Sequence, residues 1–235
     1  MDINYQIILV LFFAAFLGGI SVFLFKLHNE KKIKLLLSFS GSYLFAICVL
    51  HLTPEIFAQG NTSAGMFILL GFFLQLLLEF LSGGIEHGHI HTHKSTSKIP
   101  VAVMLGLCLH AMVEGMPFGQ HFENESLLKP LLTGIVLHKA PIAFVFMSFL
   151  IQGELKVFRS IGLLLLFALM SPLGILMANL PYINSIGLDN LLAIVVGIFL
   201  HVSTTILFES SDNHRFNLYK FIIIIFGAAL AFLNF

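Results

Sequence analysis

Two histidine–glutamate pairs stand out in a chain that is otherwise poor in charge: His51 with Glu55 in HLTPE, and His110 with Glu114 in HAMVEG. Each pair is spaced i, i+4, which on an α-helix puts both side chains on one face about 6 Å apart. An imidazole nitrogen and a carboxylate oxygen so placed can share one divalent cation. Nitrogen and oxygen donors together suit zinc, and less selectively iron, cobalt or manganese. His138, in the motif HKAP, offers a third donor from another stretch of chain, beside Lys139 and Pro141. A lone histidine in an apolar run is more often a hydrogen-bonded core residue. Two His/Glu pairs with a further histidine point instead to a metal site.

The elements that carry these residues have to be membrane helices. The 235-residue chain is 58% hydrophobic and 10% charged, with a mean hydropathy of +0.98. Soluble domains run about 45–50% apolar and about 25% charged. The composition therefore excludes a soluble enzyme, a disordered tail, a collagen-like chain and a disulfide scaffold. Twelve basic and twelve acidic residues cancel, which leaves no basic footprint for nucleic acid. Cys48 and Cys108 lie inside apolar runs and read as packing residues.

A helix crosses the bilayer core with about 20 mostly apolar residues. Eight such segments follow: 5–27, 35–58, 64–84, 99–119, 127–152, 157–180, 188–208 and 216–235. The sequence thus predicts an all-α polytopic membrane protein, a single transmembrane domain over residues 1–235 with eight transmembrane helices. The first segment lacks a charged leading region and a small-residue cleavage site, so it reads as a retained helix.

The basic residues set an orientation. Lys26, Lys31, Lys32, Lys34, Lys94, Lys98, Lys156, Arg159, Arg215 and Lys220 flank or fill the odd-numbered connections. Lys129 alone belongs to an even-numbered one, and Lys139 lies within a segment. Cytoplasmic loops carry the Lys/Arg excess. The odd loops are expected in the cytoplasm and both termini outside, in the cell (cytoplasmic) membrane. The third loop, residues 85–98, places His87, His89, His91 and His93 on alternate positions. An extended tract of this kind can collect metal weakly; a solvated linker is the plain alternative.

Ionisable groups within a span usually face a cavity and mark a pathway. Here they are His51, Glu55, His110, Glu114, His138, Lys139 and His201, with Glu209 at the cytoplasmic end of the seventh segment. Pro54 and Pro141 also fall inside spans. Each frees a carbonyl one turn back, and interrupted helices mark transport sites near the midplane. Gly115, Gly119 and Gly134 would let helices approach closely. Gln75 and Glu79 share a face of the third segment and read as a solvated helix end.

HAMVEGMPFG followed by HKAP resembles the ZIP (zinc/iron-regulated transporter-like) family. HLTPE resembles that family's second-helix motif, and GIFLHV its GTFLYV-like stretch in the seventh helix. With the eight segments, outward termini and histidine tract, the resemblance covers nearly the whole chain. It implies eight helices in which an inverted repeat relates helices 1–3 to helices 6–8 around central helices 4 and 5. It implies a transporter rather than an enzyme, moving divalent transition metals into the cytosol. Zn2+ is the expected cargo, with Fe2+, Mn2+, Co2+ or Cd2+ as other candidates. The ion and the lipid bilayer are the expected partners, and a homodimer is compatible.

Carried over by position, His110 and Glu114 match the fourth-helix ligands and His138 the first fifth-helix ligand. His51 and Glu55 match second-helix positions near the metal pathway, and His201 and Glu209 are candidate exit-path positions. The chain departs from the commonest pattern at Ala111, Lys139 and Ile142. Many members carry there the polar or acidic groups that help to hold a second ion. An ammonium at Lys139 can occupy that charge position beside Glu114. One metal site is therefore expected, in an HxxxEG/HK subtype. Two other readings use the same residues. An intramembrane zinc-dependent hydrolase would activate water there, yet the chain has no HExxH motif. A metal sensor would bind without flux.

Overall fold

The computed structural model describes residues 5–25, 30–58, 60–87, 101–122, 125–209 and 218–233. Its regular elements are all helical. They are α1 (Tyr5–Ile20), α2 (Glu30–Ile47), α3 (Thr53–Ala58), α4 (Ala64–Ser82), α5 (Val101–Gly115), α6 (Leu128–Gln152), α7 (Val157–Met177), α8 (Pro181–Asn184), α9 (Leu188–Glu209) and α10 (Leu218–Leu233). Seven stretches are long and apolar enough to cross a bilayer: Tyr5–Phe23, Lys32–Ala58, Ala64–Ser82, Val101–Gly119, Leu128–Gln152, Val157–Met177 and Leu188–Phe208. The eighth expected span corresponds to α10, which has 16 residues. At about 1.5 Å per residue it reaches about 24 Å, short of a core about 30 Å thick. The protein is an all-helical polytopic membrane protein with seven full-length spans among the described residues; the expected count of eight is not reached by length.

Each helix is built inside out relative to a soluble one. In α4, Met66, Leu69, Phe73, Leu76 and Phe80 are exposed, whereas Ala64, Gly71, Gln75, Leu78 and Ser82 are buried. Lipid receives large apolar side chains as readily as a core does. Close packing between helices therefore selects small residues, and polar groups turn inward to find partners.

The helices sort into two groups of four. In one, α1 packs on α6 and α7, and α5 packs on α7. In the other, α4 packs on α9, α10 on α2, and α2 on α9. Exchanging α1 with α7, α2 with α9, α4 with α10 and α5 with α6 maps these pairings onto themselves. That is the pairing expected of a repeat relating the first three spans to the last three around α5 and α6. Between the groups the main helix contacts are α4 with α5 and α2 with α6. These break the symmetry, since α10 makes no comparable contact with α6.

Main chains meet directly at the crossings. A Cβ on Gly71 of α4 would overlap the backbone of Ile194 in α9, and one on Gly197 of α9 would overlap the backbone of Ile68 and Phe72. Gly115 and Gly174 play the same part between α5 and α7. The close approach expected at Gly119 and Gly134 is also present, against Ile175 and against Leu44 and Ile47.

Pro54 behaves as expected and Pro141 does not. The second span is interrupted by a π turn, Cys48–Leu52, before α3 begins with Thr53 and Pro54. Bonds in such a turn run i→i+5. His51 lies in this turn and Glu55 in α3 just beyond it. Pro141, by contrast, lies inside an unbroken α6. It removes one backbone donor, and α6 is held along its length by α1, α2 and α7. The expected loop at 85–98 also begins later. Ile85 and Glu86 are buried in a 3₁₀ turn, Ile85–His87, which belongs to the packed body. The side chain of His87, and His89, His91 and His93, lie outside the described residues. Cys48 and Cys108 are free thiols.

The crossings generate a test. Gly197→Ala should lower stability by about 1–3 kcal/mol, because a packed backbone has to move. Gly162→Ala, where an added Cβ meets nothing within 4 Å, should not. Thermal unfolding of the two variants in detergent reads the difference, and equal midpoints would remove the packing argument.

Candidate metal centre

α5 and α6 place the chemistry. Gly106 of α5 lies against the Leu78 carbonyl and Ser82 of α4. His110, four residues on, occupies the same face of α5 and so also turns toward α4. One further turn brings Glu114, beside Gly115, whose approach to Ser171 anchors α5 on α7. Ser171 Oγ donates to the Ala111 carbonyl at 2.6 Å across the same contact. From α6 come His138 and Lys139. His110, Glu114, His138 and Lys139 are all at most 2% exposed.

These side chains converge. One ligand atom each from His110, Glu114 and His138 lie within 4.8 Å of one another. The two rings are edge to face, with centroids 6.2 Å apart. Donors held about 2 Å from a common ion are at most about 4 Å apart. The set therefore stands within about 1 Å of a coordinating arrangement. His110 Nε2 and Glu114 Oε1 are 2.9 Å apart. They are not aligned as a hydrogen bond, and neither has another hydrogen-bond partner. Among the described residues this is the one group of three such donors.

Lys139 stands beside Glu114. Its Nζ donates to Glu114 Oε2 at 2.9 Å and lies 5.5 Å from the centre of the Phe167 ring. One oxygen of Glu114 is thus engaged by the ammonium while the other faces the two histidines.

Sequence reasoning misjudged three residues. Gln75 and Glu79 do not form a solvated helix end. Gln75 is fully buried, and its Oε1 lies 2.8 Å from His110 Nδ1. Its Nε2 donates to Glu86 Oε2, also at 2.8 Å. The signal for Gln75 was an amide in the middle of an apolar span. Glu86 was hidden because it opens the histidine tract and was counted as loop. Glu79 is 24% exposed and pairs with His201, Oε2 to Nε2, at 2.5 Å. The His201 ring also packs edge-on against Phe72. His201 is therefore joined to α4 and stands apart from the three converging donors. His51 is buried, with Nε2 3.2 Å from the Ala231 carbonyl of α10. Glu55 is half-buried on α3. The side chain of Glu209 lies outside the described residues.

Known proteins share these elements. The family model described as ZIP Zinc transporter matches residues 99–234, from just before α5 to the end of α10. Zinc transporter ZIP9 of Micropogonias undulatus is 31% identical over 161 residues, 62% of this chain and 51% of that protein. Zinc transporter ZIP1 of Danio rerio is 33% identical over 95 residues, 40% of this chain and 31% of that protein. Zinc transporter ZIP1 of Mus musculus is 25% identical over 252 residues, 86% of this chain and 78% of that protein. The ZIP9 match spans about half the length of that relative. The family match covers more than half of the chain and includes His110, Glu114, His138 and Lys139, and the chain belongs to the ZIP family.

Proposed function

We propose that the protein carries divalent transition metal ions, with zinc as the principal cargo, across the membrane into the cytosol. The observation that carries this is the convergence of His110, Glu114 and His138 inside a protein whose outer surface is apolar. A dication in hydrocarbon requires ligands that replace its water. Two imidazoles and a carboxylate do so while leaving coordination incomplete, which suits passage better than a closed four-cysteine site. The family membership and the printed names of the relatives support the same cargo. His51, Glu55, His201 and Glu209 belong in this reading to the route to and from the site, since the described donors among them stand outside the converging set. The histidines at 87, 89, 91 and 93 collect metal at the cytoplasmic end.

Flux decides between carrier and receptor. Proteoliposomes holding the full chain should take up zinc, and His110→Ala should slow uptake at least about 10-fold, by analogy with the loss that follows disturbance of a metal shell. Binding with no flux by the unaltered chain would make it a sensor. Uptake by His110→Ala at the original rate would remove the site.

The reading also assigns one ion per chain, because the Lys139 ammonium takes the place of a second. Lys139→Ala should then bind two zinc ions per chain, measured by metal analysis after equilibrium dialysis; a stoichiometry that stays at one counts against it. Orientation rests on the basic residues of the odd loops. With Cys48 and Cys108 replaced by alanine, an impermeant maleimide should label Thr62→Cys on intact cells. It should reach Ser97→Cys only after permeabilisation, and the opposite pattern would invert the topology.

A further inference from the structure

The buried chain Glu86–Gln75–His110 ends on one of the three converging donors, and its other two residues, Gln75 and Glu86, precede the stretch matched by the family model. A glutamine amide can present either its oxygen or its nitrogen to a neighbour, since the two ends have the same shape. Glu86 removes that freedom. A carboxylate only accepts, so the Gln75 amide must turn its NH2 toward Glu86 Oε2. Its oxygen is thereby turned toward His110 Nδ1. An amide oxygen also only accepts, so Nδ1 must carry the hydrogen. The lone pair of the neutral ring is then on Nε2.

That nitrogen faces Glu114 Oε1 at 2.9 Å. In the other tautomer, Nε2 would turn a hydrogen instead of a lone pair toward Glu114 Oε1. In this tautomer two acceptor atoms face each other 2.9 Å apart, and a cation between them can be held by both.

We infer that Gln75 and Glu86 are positioning residues, which fix His110 in the Nδ1–H tautomer and so keep its Nε2 lone pair and Glu114 Oε1 open to a divalent cation. The inference rests on the reading of His110 as a metal ligand. Oriented partners behind ligating histidines generally contribute about 10–100-fold in metal affinity.

The test uses the purified full chain in nanodiscs and two readouts. Imidazole 15N spectra of the metal-free protein, with the His110 signals identified by their loss in His110→Ala, report the tautomer. Titration with Co2+, followed by its visible absorption, reports affinity. The unaltered chain should show Nδ1–H. Gln75→Leu should show a mixture of tautomers and bind Co2+ about 10–100-fold more weakly. The double exchange Gln75→Glu with Glu86→Gln should restore both. The carboxylate at position 75 still accepts from Nδ1–H, and the amide at position 86 donates to that carboxylate.

A purely structural role for the chain would not predict that rescue. Should Gln75→Leu fail to fold, the isosteric Glu86→Gln, which frees the Gln75 amide to turn either way, must give mixed tautomers. A retained Nδ1–H form with unchanged affinity in these single variants, or a double exchange no better than Gln75→Leu, overturns the inference. Tight Co2+ binding by His110→Ala would instead overturn the reading of the site, while the metal-free spectra would still decide the tautomer.

Discussion

A carboxylate sealed inside a lipid-embedded helix bundle is the constraint around which the rest of this protein is arranged. Glu114 is 1% exposed, and an ion so placed is tolerable only with a charged or hydrogen-bonding partner. Lys139 answers one oxygen. The other is turned toward the ring nitrogens of His110 and His138. The site is thus half neutralised from within and half open to a visiting positive charge. Apolar residues in place of this cluster would make a more ordinary core, but they would give a dication no reason to enter.

The membrane supplies the second half of the design. Because lipid gives no reward for burying leucine or phenylalanine, the helices are held by direct approach of main chains. Gly71, Gly197, Gly115 and Gly174 mark those approaches. Close packing of this kind is sensitive to distance, and it positions α5 against α4 and α7 tightly enough for side chains of three helices to meet at His110.

Much of this was legible in the sequence where chemistry and spacing coincide. His110 and Glu114 lie one α-helical turn apart on a regular α5, so the rule for neighbouring turns applied without modification. His138 and Lys139 followed from the adjoining motif. The π turn that carries His51 was not legible, because no local residue announces it. Pro141 misled for a related reason. Proline breaks an isolated helix, but α6 is enclosed by neighbours that hold it straight through the missing bond. Glu79 and Glu86 were misjudged because polar residues near the end of a span resemble a solvated terminus, and Gln75, in mid-span, was read together with Glu79 on the same face. Only the return of the chain through the turn Ile85–His87 places Glu86 back inside the protein. Long-range contacts of that kind leave no trace in periodicity.

The link from Gln75 to His110 also crosses the border between the two four-helix groups, joining α4 of one to α5 of the other. A hydrogen bond of this type is lost beyond about 3.2 Å, and this one measures 2.8 Å. A slip of the groups by more than about 0.4 Å along that direction would release the imidazole ring to rotate or change tautomer. Grip on the ion and seating of one group against the other are therefore thermodynamically linked, and linkage runs both ways. A bound cation that favours the oriented ring steadies the border, and a disturbed border loosens the cation. On the proposed reading of His110 as a metal ligand, the seam is a latch whose catch is that ligand.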